Sequence, residues 1–253
     1  MQEWLIVSFA SLFAGFVDSI VGGGGLVLLP TLFAVYPLAS PATISGTNKT
    51  GAIFGTSFAA WKYAQRVHFD WAVLLPAVAC AFAGAMLGAW AVTVVSAQLV
   101  RKLLPFMLLA VLLYTLYKKD LGSHHQPRGS TGRQAALASG LGLTIGFYDG
   151  FFGPGTGSFF VFALVRLLGY DFLNASASAK LLNISTNCAS ILLLGLGGYI
   201  WWHLTVPLAL ANVLGSMLGT FMALRYGSGF VRWIFVAVVS LLIVRSLWDA
   251  FVR

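Results

Sequence analysis

Residues 15–25 read GFVDSIVGGGG, with an aspartate, Asp18, inside an apolar run and Gly22, Gly23, Gly24 and Gly25 after it. A glycine costs a helix interior roughly 1 kcal/mol relative to alanine, so four in succession predict a break. The apolar stretch around them runs over about residues 4–36. A membrane-spanning helix needs about 20 residues. This stretch is too long for one upright helix and too short for two full ones. A broken or re-entrant first helix fits both facts. Small residues placed for close helix packing are the other reading of the glycines.

The rest of the chain sets that segment in a membrane. Of 253 residues, 59% are hydrophobic and 9% charged, with mean hydropathy +0.88. A soluble domain carries roughly 25% charged residues. The long apolar stretches 137–168 and 234–244 add to the case for an all-α polytopic membrane protein. The longest polar stretch, KKDLGSHHQPRGSTGRQ at 118–134, reads as a loop between two membrane halves. The formal charge of +8 is scattered over short loops. That distribution suits anionic lipid headgroups and the positive-inside rule, and no nucleic-acid partner is expected. Cys80 and Cys188 lie in apolar segments without metal-ligand spacing and read as packing residues. No catalytic set, metal cluster or phosphate loop stands out, so neither enzyme activity nor a cofactor is expected. His68, His124, His125 and His203 fall in or near loops and receive no ligand role. The N-terminus lacks a basic n-region and reads as the first membrane segment rather than a cleaved signal.

Placing Asp18 on Asp149 aligns the chain with itself without a gap. The same displacement puts Gly15 and Phe16 on Gly146 and Phe147, Gly22 and Gly24 on Gly153 and Gly155, and Ser45 and Lys49 on Ser176 and Lys180. It puts Trp71 and Pro76 on Trp202 and Pro207, GAMLG at 84–88 on GSMLG at 215–219, and Val100 and Arg101 on Val231 and Arg232. Two homologous membrane repeats follow, 1–120 and 133–253, joined by a loop at 121–132. Each repeat holds four apolar segments; in the first they cover about 4–36, 43–62, 71–95 and 102–117. The second break is FFGPGTGS, where Pro154 removes a further N–H donor. If the first segment of each repeat returns to its own side, the repeats are inverted. Nine of the loop Lys and Arg residues then share a face against four, compared with eight against five for parallel repeats. That count favours inversion by a single residue, with the central loop cytoplasmic.

Non-helical backbone at membrane depth survives only when buried in protein or facing a watery cavity. Two breaks, one per repeat, are expected to meet at the repeat interface. The helices that restart after Gly22–Gly25 and after Gly153, Gly155, Thr156 and Gly157 present N–H groups and positive dipole ends, which attract anions. Lys49, with Thr47 and Asn48, and Lys180, with Ser178 and Asn183, follow the breaks in apolar segments. An intramembrane lysine costs roughly 2.5–3.5 kcal/mol at mid-helix. A matched pair beside hydroxyls and amides points to a small anionic substrate such as a sulfite, sulfonate or carboxylate. Snorkelling of each side chain to the headgroups is the alternative. Asp18 and Asp149 suit proton coupling; ion pairing to the lysines or capping of the broken backbone is the structural alternative.

At GFVDSIVGGGGLVLLP, TNKTGA, and GFYDGFFGPGTGSFF with AKLLN, the sequence resembles the TauE/SafE family of bacterial membrane proteins, in its YfcA-like branch. The resemblance covers essentially the whole chain. It implies a multi-pass protein of the bacterial inner membrane that transports sulfur-containing anions. The expected activity is therefore secondary transport at the repeat interface. An anion channel lined by the same glycines is the competing expectation, and homo-oligomerisation is left open.

Overall fold

The computed structural model describes residues 2–117, 125–226 and Ser240. The apolar stretch at 234–244 apart from Ser240, the positions of Val231, Arg232, Arg245 and Arg253, and Lys118, Lys119 and His124 lie outside the described residues. The described chain is helical: α1 (Gln2–Val21), α2 (Gly25–Val35), α3 (Pro41–Ala64), α4 (Trp71–Val94), α5 (Ala97–Tyr117), α6 (Thr131–Phe151), α7 (Thr156–Ala163), α8 (Phe172–Leu196) and α9 (Trp202–Tyr226). Among the described residues, α1, α4, α8 and α9 are long and apolar enough to cross a membrane, which makes this a membrane protein.

Both expected breaks are present. Helix α1 stops at Val21, and Gly22 turns the chain at φ +80°, a conformation that a side chain makes costly. Helix α2 restarts at Gly25 and runs 11 residues, about half a membrane. In the second half α6 stops at Phe151, Gly153 has φ +87° and Gly155 φ +78°, and α7 starts at Thr156. A π-helical turn, Leu164–Leu168, extends α7 to a left-handed Gly169.

Polar residues at the chain's turns start the next helices. Ser40 accepts from the Thr43 amide, with Pro41 in the first turn of α3. Asp171 accepts from the Asn174 amide at 2.7 Å and starts α8. Asp70 and Ser130 cap α4 and α6 in the same way.

The packing partners cross between the halves. Helix α1 lies along α9, and α6 along α4. Ser11 Oγ donates to the Leu208 carbonyl at 2.7 Å, Gly15 faces Asn212, and Gly219 faces Phe16, so α1 and α9 run parallel. Gly142, Gly146 and Gly150 face Ala77, Ala81 and Ala85 in turn, so α6 and α4 are parallel too. The GAMLG and GSMLG glycines face these seams. A Cβ at Gly84, Gly88, Gly215 or Gly219 would strike the backbone of α6 or α1, so close approach of two helices fixes those four positions. Helix α3 runs parallel to α9, joined by Thr205 with Thr50 and by Ser216 with the Gly55 carbonyl. It runs antiparallel to α8: Gly46 abuts Leu194, whereas Tyr63 clusters with Ala177 and Leu173.

Each short helix is enclosed by protein. Leu26, Leu28 and Leu32 of α2 are fully buried with residues of α1, α3 and α9. Phe160 of α7 and Leu164 of the π turn are buried the same way among α4, α6 and α8. The broken backbone is thereby kept from lipid, as it must be. Leu210, Leu214, Leu218 and Phe221 instead form an exposed apolar stripe on α9, suited to acyl chains.

Candidate functional site

The two breaks touch. The Ser158 amide donates to the Gly22 carbonyl at 3.2 Å. A Cβ at Gly22 would meet the Gly157 backbone, and one at Gly157 would meet Gly22. The glycines thus let two turns of main chain cross where no side chain fits.

Around that crossing the charged residues pair between the halves. Lys49 Nζ on α3 lies 2.5 Å from Asp149 Oδ2 on α6. Lys180 Nζ on α8 lies 2.8 Å from Asp18 Oδ2 on α1 and also donates to the Asp18 main-chain carbonyl. All four residues are buried. A lone buried charge is very costly, whereas a hydrogen-bonded pair recovers much of that cost. Asp18 is held further. Thr56 Oγ1 donates to Oδ2 at 3.1 Å, and the Gly24 amide donates to Oδ1 at 3.4 Å, so one N–H released by the break is spent on the carboxylate. The ion-pair alternative for the aspartates is therefore realised geometrically. The lysines face each other's half rather than the headgroups.

A polar cavity of about 30 Å3 lies here, lined by both aspartates and by Lys49. Its size admits a water or two. Of the residues expected from sequence, Gly22, Gly24, Gly25, Asn48, Gly153, Thr156, Gly157 and Asn183 line it as well. Lys180 stands behind Asp18 rather than on the cavity wall. Gly23 is buried in the first turn, and Gly155 caps α7 in its left-handed conformation. Thr47 and Ser178 lie elsewhere: Thr47 Oγ1 accepts from the Trp201 amide at 3.1 Å, and Ser178 lines a separate cavity. The sequence reading missed Thr56, Asn187 and Asn212, which line the central cavity. Thr56 and Asn187 did carry a signal. They are repeat equivalents, two helical turns beyond Lys49 and Lys180, on the same helix face as the lysines. Asn212 is an amide inside an apolar span, and it donates to the Ser11 carbonyl at 3.1 Å.

A helical membrane protein whose broken helices surround buried, paired charges has the build of a membrane transporter. The chain belongs to the sulfite exporter TauE/SafE family, whose model matches residues 7–246. It is 36% identical over 245 residues to the "Probable membrane transporter protein YfcA" of Escherichia coli K12, covering 97% of this chain and 90% of that protein. It is 37% identical over 241 residues to the "Probable membrane transporter protein ORF9" of a Sinorhizobium species, at 95% and 90% coverage. A "Probable membrane transporter protein" of Haemophilus influenzae is 34% identical over 242 residues, at 93% and 91% coverage. No solved structure matches.

Proposed function

We propose that this chain is a proton-coupled secondary transporter of a small sulfur-containing oxyanion. It would work by alternating access between two inverted repeats as a multi-pass protein of the bacterial inner membrane. The observation that carries this reading is the crossed pairing of Lys49 with Asp149 and Lys180 with Asp18 beside a polar cavity at the helix breaks. In the two ion pairs the four charges cancel. An oxyanion entering the cavity competes with a carboxylate for a lysine. The displaced carboxylate would be left as an uncompensated buried charge, which costs several kcal/mol. Taking up a proton removes that charge. Anion and proton then occupy the site together; Lys49 on the cavity wall, and Lys180 once Asp18 has moved from in front of it, give the anion charge-assisted hydrogen bonds. Amides from Asn48 and Asn183 supply neutral donors on the cavity wall. The small volume favours a compact inorganic oxyanion over a long organosulfonate.

The antiparallel course of α3 and α8 supports inversion, because these are equivalent segments of the two sequence repeats. The reciprocal pairing of α1 with α9 and of α6 with α4 fits a two-fold relation between the repeats, and the direction of α3 against α8 is what favours inversion.

The test is flux in proteoliposomes loaded with sulfite or thiosulfate. Saturable uptake that exchanges with internal anion and is driven by a pH gradient supports a coupled transporter. Current that scales with voltage and does not saturate points to a channel.

A further inference from the structure

The two faces of the molecule differ at one pair of repeat-equivalent positions. On the face where α3 and α9 begin, the Trp201 amide donates to Thr47 Oγ1 at 3.1 Å; Thr47 and Ser178 are both buried, so what differs is the surroundings of each hydroxyl. The Trp201 ring packs edge-on against Tyr36, centroids 4.9 Å apart, and Gly46 lies against the Tyr199 carbonyl. Aromatic side chains and main chain cover the approach to Lys49 two residues further on. The equivalents of Thr47 and Trp201 are Ser178 and Asp70. On the opposite face these two residues line a common cavity of about 170 Å3, with His68, His125 and Tyr170 at its walls. A cavity of that volume has room for several waters. Ser178, two residues before Lys180, is part of its wall.

The geometry points to Thr47 with Trp201 as a closed gate, and Ser178 with Asp70 as its open counterpart, so that the chain is captured open toward the loop between α3 and α4. In the opposite state Trp201 releases Thr47, and the Asp70 segment closes onto Ser178. The hydroxyl of each lysine-bearing helix is therefore a gate latch as well as a neighbour of the site. The two mouths also differ chemically. The open one presents His68, Asp70 and a His125–Asp171 pair at 3.7 Å, whereas the closed one presents Tyr36, Tyr199 and Trp201. Polar groups keep a wet entrance hydrated. The apolar bodies of aromatic rings exclude water from a sealed one, their O–H and N–H tips finding partners at its edge.

This inference rests on the inverted-repeat reading but not on the identity of the anion, and accessibility tests it without substrate. Single cysteines at Ser178 and Thr47, in a Cys80→Ser, Cys188→Ser background, are exposed to a membrane-impermeant maleimide in right-side-out and inside-out vesicles. Ser178→Cys is expected to label from the side on which Gln65→Cys labels, and Thr47→Cys from neither side. Adding Trp201→Ala is expected to open Thr47→Cys to the side on which Leu196→Cys labels. Trp201→Phe, which keeps a ring there, should leave it sealed. If Thr47→Cys labels as readily as Ser178→Cys in the parent chain, the closed gate is refuted, whether or not the tryptophan variants fold. If Trp201→Ala folds and Thr47→Cys stays silent, Trp201 is not the gate. Loss of anion binding with the labelling pattern intact would instead count against the proposed substrate site alone.

Discussion

Lys49 Nζ lies 2.5 Å from Asp149 Oδ2, so a lysine of the first half is neutralised by a carboxylate of the second. Breaking a buried pair from one side leaves an uncompensated charge and costs about 3–5 kcal/mol. Lys49→Met and Asp149→Asn are each expected to lower thermal stability in detergent. The double variant is expected to recover part of the loss, because no charge is then left alone. Strictly additive losses in a double-mutant cycle would show that the pair has no energetic coupling.

The second pair is tied more tightly. Lys180 donates to both the side chain and the main chain of Asp18, and Thr56 and Gly24 donate to the same carboxylate. Thr56→Val keeps the shape and removes one of these donors. It should cost about 1–3 kcal/mol through the acceptor left short, again read from melting curves. An unchanged midpoint would mean that the Thr56 contact contributes nothing.

Transport should follow a pH gradient if the carboxylates carry the proton. Asp18→Asn and Asp149→Asn keep the side-chain size but cannot exchange a proton. Both variants are expected to lose the gradient-driven component of sulfite flux. Flux that keeps its full pH dependence in both variants would leave the aspartates with a structural role only.

At the crossing of the breaks, glycine positions should differ in tolerance. Gly22→Ala puts a Cβ on a φ of +80° and into the Gly157 backbone, so folded yield should collapse. Gly25→Ala meets the Gly153 carbonyl at 3.3 Å, a contact relieved by a shift of a few tenths of an ångström. It should fold at near-normal yield. Equal yields for the two variants would contradict the crossing geometry.

Inversion has a labelling test of its own. Gln65 and Leu196 are repeat equivalents at the ends of α3 and α8, and both are exposed. Cysteines there should react with an impermeant maleimide from opposite faces. Reaction from one face would require parallel repeats.

Much of this was legible in the sequence because glycine, proline and charge are rare and costly inside a membrane. The breaks at Gly22 and Gly153, the close seams at GAMLG and GSMLG, and the need of Asp18, Lys49, Asp149 and Lys180 for buried partners all follow from that cost. What periodicity could not reveal is which helix stands beside which. The crossed pairing depends on α3 of one half facing the end of α6 in the other, a tertiary fact. For the same reason Thr47 was read as a site residue, although its hydroxyl holds the Trp201 amide. Asn212 escaped notice because its equivalent in the first half is Ala81, so the repeat gave no second instance. The charge count separated inverted from parallel repeats by one residue, whereas helix direction bears on the question more strongly.

The central claim is that the buried lysines exist to receive an anion. It is tested most directly by the affinity of purified Lys49→Met and Lys180→Met for sulfite, measured beside yield and melting temperature. A charge-assisted hydrogen bond is worth roughly 1.5–3 kcal/mol, so each variant that folds should bind about 10- to 100-fold more weakly than the parent chain. Folded Met variants that bind sulfite as the parent does would place the lysines outside the site and contradict the account.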